Sequence, residues 1–265
     1  MKRKSIKKLM VFITSLMLIF ALAGCNKAED KTAENSDKKV LKVGTEGTYK
    51  PFTYHNEKDE LVGYDVEIAQ AIAEEMGMEA EFSEYTWEGL LAALDNGQVD
   101  IVTNQVGITP EREEKYIFSE PYLYSYPALI VKKDNDTIKT FEEAKGHKTS
   151  LNISSNFAKI AEEYGIEIVP SETFSKDIEL LLNGKTDVVI NDTVAFADYL
   201  KQKPDTEIKI ADTLDRPNIV AIPIKKEDEE LKNNIDKAIK SLKESGKLKE
   251  ISEKYLDEDL TVEEK

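Results

Sequence analysis

The stretch V-D-I-V-T-N-Q-V-G-I-T-P-E-R-E-E-K-Y, from Val99 to Tyr116, sets the reading of the whole chain. Val99, Ile101 and Val102 predict a buried strand. Polar Thr103, Asn104 and Gln105 follow, then Gly107, Thr109 and Pro110, which punctuate a turn and open a short helix, because proline suits a first helical position. Arg112 projects from that helix's first turn. In an α/β unit, ligands sit outside the carboxyl ends of the strands. Here such an end carries free amides, a glycine allowing close backbone approach, and one guanidinium. That set matches a carboxylate, because the guanidinium fork gives two parallel charge-assisted bonds. The same letters also fit a plain helix start with a surface arginine.

Outward from this stretch, strands and helices alternate. A strand at 40–43 leads into a glycine- and proline-containing loop at 44–52. A helix follows from Val66 to Met76, with Asp65 as N-cap and Gly77 as C-cap. Then come a strand at 79–82, a helix at 87–94 and a strand at 128–131. A second run begins with a capping box, Thr140 with Glu143, for a short helix ending at Gly146. Strands at 149–151, 167–169 and 188–190 alternate with helices at 156–164, 177–182 and 193–200. Strands at 208–210 and 219–224 and two long helices, 228–245 and 248–255, finish the chain. This alternation implies an α/β fold with mainly parallel sheets covered by helices.

Two such lobes facing each other form a cleft lined by helix N-termini, which attract anions through free N–H groups and the macrodipole. In the second half, Ser155 and Asp192 stand at strand ends that lead into helices. Asp192 is the acidic group placed to meet an ammonium, so the cleft suits a zwitterion. Taken singly, both residues also read as ordinary N-caps.

The first 24 residues stand apart. Lys2, Arg3, Lys4, Lys7 and Lys8 precede an apolar core that is shorter than the ~20 residues a membrane-spanning helix needs. The core ends in Leu22-Ala23-Gly24-Cys25, which resembles the bacterial lipobox and implies a lipid on Cys25. Cys25 is the single cysteine, so no internal disulfide and no cysteine-based metal site is expected. His55 and His147 are isolated, and no metal is expected. Removing the five basic residues of the first 24 leaves 31 basic against 52 acidic side chains, a formal charge of −21. That balance argues against nucleic acid, which needs a basic footprint. Residues 26–39 lack large apolar side chains almost entirely and read as a flexible tether.

Several motifs carry a resemblance. They are Leu41-Lys42-Val43-Gly44-Thr45, Pro51-Phe52, Gly63-Tyr64-Asp65-Val66-Glu67-Ile68-Ala69, Trp87-Glu88-Gly89-Leu90, Ile108-Thr109-Pro110-Glu111-Arg112 and Phe118-Ser119-Glu120-Pro121-Tyr122. Together they resemble the polar amino-acid family of ABC-transporter solute-binding proteins, over nearly all of residues 40–257. The resemblance implies a two-lobed periplasmic-binding-protein-like fold joined by two hinge strands, near residues 131–133 and 219–223. It divides the chain into a signal peptide at 1–24, a tether at 25–39, a first lobe at 40–131 plus 222–265, and a second lobe at 132–221.

By position, the resemblance gives the ligand carboxylate to Arg112, the Gly107 amide and Ser155. The ammonium goes to Asp192, helped by a carbonyl near Gln105. Tyr49 and Trp87 sandwich the ligand's side chain, and Glu46 reaches its far end. Gly107 stands where serine or threonine is common in the family, Ser154 where glycine is usual, and Lys50 where a small residue or proline is commoner. Asn104-Gln105-Val106 resembles the members that bind L-cystine, whose distal half Asn104, Gln105 and Glu46 would serve. The resemblance further implies a monomer delivering its ligand to the transmembrane subunits of an ABC permease at the outer face of the cell membrane, with no cofactor and no catalytic residue. The competing readings are a dehydratase on the same fold and an amino-acid sensor or adhesion lipoprotein.

Overall fold

The computed structural model describes residues 39–263. The expected signal peptide, Cys25 and all of the expected tether except Lys39 lie outside the described residues. The chain opens with strand β1 (Val40–Thr45), then three short strands, β2 (Thr48–Tyr49), β3 (Thr53–His55) and β4 (Leu61–Val62), which form a small antiparallel sheet. Helix α1 (Tyr64–Glu75), strand β5 (Glu79–Glu84), helix α2 (Trp87–Asp95) and strand β6 (Ile101–Val102) follow. β1 lies between β5 and β6 and is parallel to both, with Val43 opposite Phe82 and Ile101. The short helix α3 (Pro110–Glu113) leads to β7 (Tyr116–Phe118) and β8 (Leu123–Ser125).

The second lobe is built on β9 (Pro127–Lys132), β10 (Lys148–Leu151), β11 (Glu167–Pro170), β12 (Val188–Asp192) and β13 (Ile208–Thr213), in the sheet order β11-β10-β12-β9-β13. Three helices accompany these strands: α4 (Asn156–Glu163), α5 (Phe174–Leu182) and α6 (Thr193–Gln202). The chain then returns through β14 (Asn218–Val220) and β15 (Pro223–Lys225) to helices α7 (Glu229–Glu244) and α8 (Lys247–Leu256).

Each lobe has its own core. In the first, Ile68, Ile72 and Ala69 of α1 pack with Leu41 and Ile101 from the sheet and with Ile235, Ile239 and Leu248 from α7 and α8. The stripe on α1 (Tyr64, Asp65, Ile68, Ala69, Ile72, Ala73) recurs at helical spacing and is buried. In the second, Leu129, Val131, Phe141, Ala158, Val188 and Ile190 form a separate cluster. The lobes are joined where β8 pairs antiparallel with β14, Tyr124 opposite Ile219.

Four sequence expectations change. The strand expected at 128–131, at the end of the first run, is β9, which pairs with β12 and β13 in the second sheet. The first crossing therefore precedes it, at β8, because an apolar run predicts a buried strand but does not name its sheet. Asp65 is not the N-cap of α1. Gly63 holds that place, and the Asp65 carboxylate is buried and engaged elsewhere. The segment from Thr140 to Gly146 forms turns instead of a helix. Glu143 N–H does donate to Thr140 Oγ1 at 3.3 Å, but the Glu143 carboxylate accepts from Lys139 N. The single strand expected at 219–224 is split into β14 and β15, each paired with a different partner.

Gly63 adopts φ 135°, and a Cβ there would lie 2.3 Å from the carbonyl oxygen of Phe52. Both the left-handed backbone and the close approach to main chain require glycine. Gly63→Ala should cost about 1–3 kcal/mol, measured by urea unfolding; an unchanged midpoint would show that the α1 entry relaxes freely.

Candidate functional site

The polar end of β6 continues into the loop that carries Asn104, Gln105 and Gly107. The backbone here is fixed from two sides. Gly107 bridges to Val220 of β14, and Ile108 N–H donates to Ile219 O at 2.8 Å. Gln105 sits at φ 50°, a left-handed conformation uncommon for a residue with a side chain. Its N–H donates to the buried Asp65 Oδ2 at 2.5 Å, while Tyr122 OH donates to Asp65 Oδ1 at 2.8 Å.

A cleft opens here between the lobes. Glu46, Tyr49, Trp87, Asn104, Gln105 and Ser155 line it, six of the nine binding residues expected from the sequence. Asn104 Nδ2 donates to Glu46 Oε2 at 2.6 Å, and burial pushes the Glu46 carboxyl above its ordinary range. Tyr49 OH lies 3.1 Å from Gln105 Oε1 and 2.8 Å from Asn191 Oδ1, across the lobes. Ser155 caps α4 without a side-chain hydrogen bond, and its buried Oγ has no partner.

The other three expected residues stand behind the cleft wall. Arg112 follows the N-cap Thr109 and Pro110 at the first helical position of α3, as the sequence implied. It is 8 % exposed and its guanidinium lies 5.2 Å from the Trp87 ring centroid. Nη1 donates to Gly107 O at 2.7 Å and Nη2 to Ser154 O, in the opposite lobe, at 3.2 Å. Burial lowers the guanidinium pKa to about 10. The ion pairs found among the described residues include none to Arg112; its partners are neutral carbonyls. Gly107 is pressed against Asn218, whose Oδ1 would lie 2.3 Å from an added Cβ. Asn218 Oδ1 accepts from Asn156 Nδ2 at 3.0 Å, so an amide pair occupies the space that a side chain at 107 would need.

Asp192 is fully buried. It caps α6 by accepting from Val194 N at 2.9 Å, so the capping reading holds. Its other oxygen accepts from Ser125 Oγ and from Gln105 Nε2, the latter at 2.8 Å. Burial pushes its carboxyl up to about 6, against these donors. Gln105 Nε2 thus fills the donor position that the resemblance gives to a ligand ammonium. Through Tyr49–Asn191, Gln105–Asp192 and Arg112–Ser154 the lobes are bridged by the protein's own groups.

Sequence reasoning left out several wall residues: Asn156, Phe157, Phe174, Asp177 and Asn191. Asn191 precedes Asp192 on a strand whose five residues are all buried, and an amide in so apolar a run was the available signal. Asp177 was visible in the same way, as an acid on the apolar stripe of its helix. Among the described residues, no group of three His, Cys, Asp or Glu side chains could hold a metal ion.

The family model for bacterial extracellular solute-binding proteins, family 3, matches residues 41–258. The chain belongs to that family. L-cystine-binding protein TcyA of Bacillus subtilis (strain 168) is 34 % identical over 267 residues, covering 96 % of this chain and 99 % of that relative. An ancestral arginine-binding protein bound to glutamine superposes with TM-score 0.78 at 33 % identity, covering 83 % of this chain and 99 % of that one. The L-cystine solute receptor of Neisseria gonorrhoeae, in its unliganded open conformation, gives TM-score 0.61 at 36 % identity, covering 86 % of this chain and 97 % of that one.

The buried aspartates set a pH response. Burial raises Asp65 to about 7 and Asp192 to about 6, above the roughly 3.9 of an unfolded chain. The folded state therefore holds these protons more tightly, a stabilisation complete below the unfolded value and lost as pH rises through the folded one. Without added ligand the protein should melt at a higher temperature near pH 5 than near pH 8. Asp192→Asn, which keeps the cap but cannot ionise, should flatten part of that slope. Scanning calorimetry showing the same slope in both proteins would remove Asp192 from the effect.

Proposed function

We propose that this protein is the solute-binding lipoprotein of an ABC importer, anchored through Cys25 at the outer face of the cell membrane. It captures L-cystine between its lobes and hands it unchanged to the permease. The observation that carries this reading is a pair of buried, oppositely charged groups behind the cleft wall whose hydrogen-bond partners are neutral. Arg112 is a buried cation whose partners are neutral carbonyls, and Asp192 is a buried acid held by neutral donors. An α-amino acid supplies the two missing counter-charges in one molecule. Its carboxylate would replace the carbonyls on the Arg112 fork, assisted by the unpartnered Ser155 Oγ and the Gly107 amide. Its ammonium would displace Gln105 Nε2 from Asp192. Exchanging neutral for charged partners strengthens each bond, which is the source of selectivity for a zwitterion.

Tyr49 and Trp87 offer aromatic faces for the apolar middle of the ligand at low entropic cost. Asn104, Gln105 and Glu46 serve its distal half. TcyA, 34 % identical across nearly the whole chain, is named for L-cystine, which supports the choice among polar amino acids. We place the lobe division at β8–β9 on the outward path and ahead of β14 on the return, with one protomer forming the whole cleft.

Three results are expected. A thermal-shift screen should show L-cystine stabilising the protein by roughly 2.7 kcal/mol at about a hundred times its dissociation constant. L-cysteine kept reduced should give a smaller shift, and D-cystine little; a larger shift with L-glutamine would move the assignment to that amino acid. Arg112→Lys should abolish binding in calorimetry while leaving the circular-dichroism spectrum intact, since lysine cannot form the planar two-bond contact. Cys25→Ser should move the protein from the membrane fraction to the medium, and retention at the membrane would exclude the lipid anchor.

A further inference from the structure

The buried stripe of α5 contains a charge. Phe174, Asp177, Ile178 and Leu181 stand at i, i+3, i+4 and i+7 of one helical face, and the last three are buried. Asp177 keeps 3 % of its surface exposed and lines the cleft beside Phe174, in the second lobe. Its Oδ1 has no hydrogen-bond partner. Burial pushes the carboxyl up to about 7, against a smaller opposing pull from the Ser171 and Ser150 hydroxyls. Neither hydroxyl closes on Oδ1: Ser150 Oγ lies 3.4 Å from the main-chain oxygen of Asp177, and Ser171 Oγ is itself unpartnered.

An acid in a helix's first turn is favoured by the macrodipole, but an exposed position would serve that purpose without desolvating the carboxylate. The wall of the cleft adds a second observation. It carries three carboxyl groups, Glu46, Glu172 and Asp177, and no lysine or arginine among the described residues that line it. Glu46 is also raised by burial. Asp177 is buried, Glu46 half-buried and Glu172 exposed, and with no base in the lining one cation would relieve the field of the two desolvated carboxyls.

We propose that Asp177 is the counter-ion for a second positively charged group of the ligand, so that the cleft selects amino acids whose distal end bears an ammonium or guanidinium. The inference rests on the reading that Arg112 and Asp192 hold the ligand's α-carboxylate and α-ammonium. The distal α-ammonium of L-cystine belongs to this chemical class, as does the guanidinium of L-arginine. The neutral amide of L-glutamine does not.

Titration calorimetry of the wild type, Asp177→Asn and Arg112→Lys with L-cystine, L-arginine and L-glutamine tests it, at a pH of about 8, where a carboxyl near 7 is ionised. Wild type should bind L-cystine or L-arginine more tightly than L-glutamine, and which of the two is tighter names the source of the cation. Asp177→Asn should weaken that ligand by about tenfold or more while leaving L-glutamine nearly unchanged. The unliganded variant should melt no lower than wild type, because a buried charge has been removed. Wild-type affinity of Asp177→Asn for the cationic ligand, an equal loss for L-glutamine, or binding of L-glutamine alone by the wild type overturns the proposal. Arg112→Lys should lose every ligand alike. Its binding all three as the wild type does would overturn the α-site reading, and the proposal with it, a failure distinct from one confined to Asp177→Asn.

Discussion

One amide, Gln105, is held at both ends by buried aspartates, and the arrangement of the cleft depends on it. Its N–H is fixed by Asp65 of α1, and its side chain reaches Asp192 at the start of α6. The left-handed backbone at this residue costs on the order of 1 kcal/mol, which hydrogen bonds to charged acceptors readily offset. Asp65 also takes the hydroxyl of Tyr122, which precedes β8, and Asp192 takes that of Ser125 at the end of β8. The first lobe, the crossing strand and the second lobe thus meet through two carboxylates and one side chain. A displacement of α6 is felt at the loop that also carries Gly107 and leads to Arg112.

The charges inside the molecule run against those outside. The chain is strongly acidic, yet behind the cleft wall a guanidinium is buried over Trp87 with carbonyls for company. Burying a charge without a counter-charge is costly, and the cost is tolerated where a ligand can supply what is missing. In the proposed reading, the same reasoning accounts for Ser155 Oγ and Asp177 Oδ1, two buried polar atoms without partners that face the same space.

Much of this was legible in the letters. An apolar run, three polar residues, glycine and proline gave the end of β6 and the start of α3, because each signal is local. Asp192 was legible for the same reason, and it caps its helix. What failed was non-local. Asp65 precedes an apolar face and so resembles an N-cap, but only the folded chain shows Gln105 N–H arriving from forty residues away. Residues 128–131 read correctly as a buried strand, while their sheet depends on pairing with β12 and β13. Asp177 stood at the expected start of a helix and Asn191 beside Asp192 at a strand end, and only the folded chain brings both into the cleft wall. Gly107 was read as the loss of a hydroxyl; Asn218 and Asn156 show what occupies the space instead.

The packing of α1 against α7 and α8 also orders assembly in time. The second core is drawn mainly from one continuous piece, Leu129 to Leu214. The first needs Ile68 and Ile72 to meet Ile235, Ile239 and Leu248, so its last contacts close over most of the chain. Long-range contacts of this kind are slow to form, and chains synthesised from the amino terminus fold unit by unit. The middle of the sequence can therefore become compact while the part of the α1 stripe that meets α7 and α8, made much earlier, is still uncovered. Until the final two helices arrive, that stripe is the sticky surface of the nascent chain, and a helper that shields it would act there first.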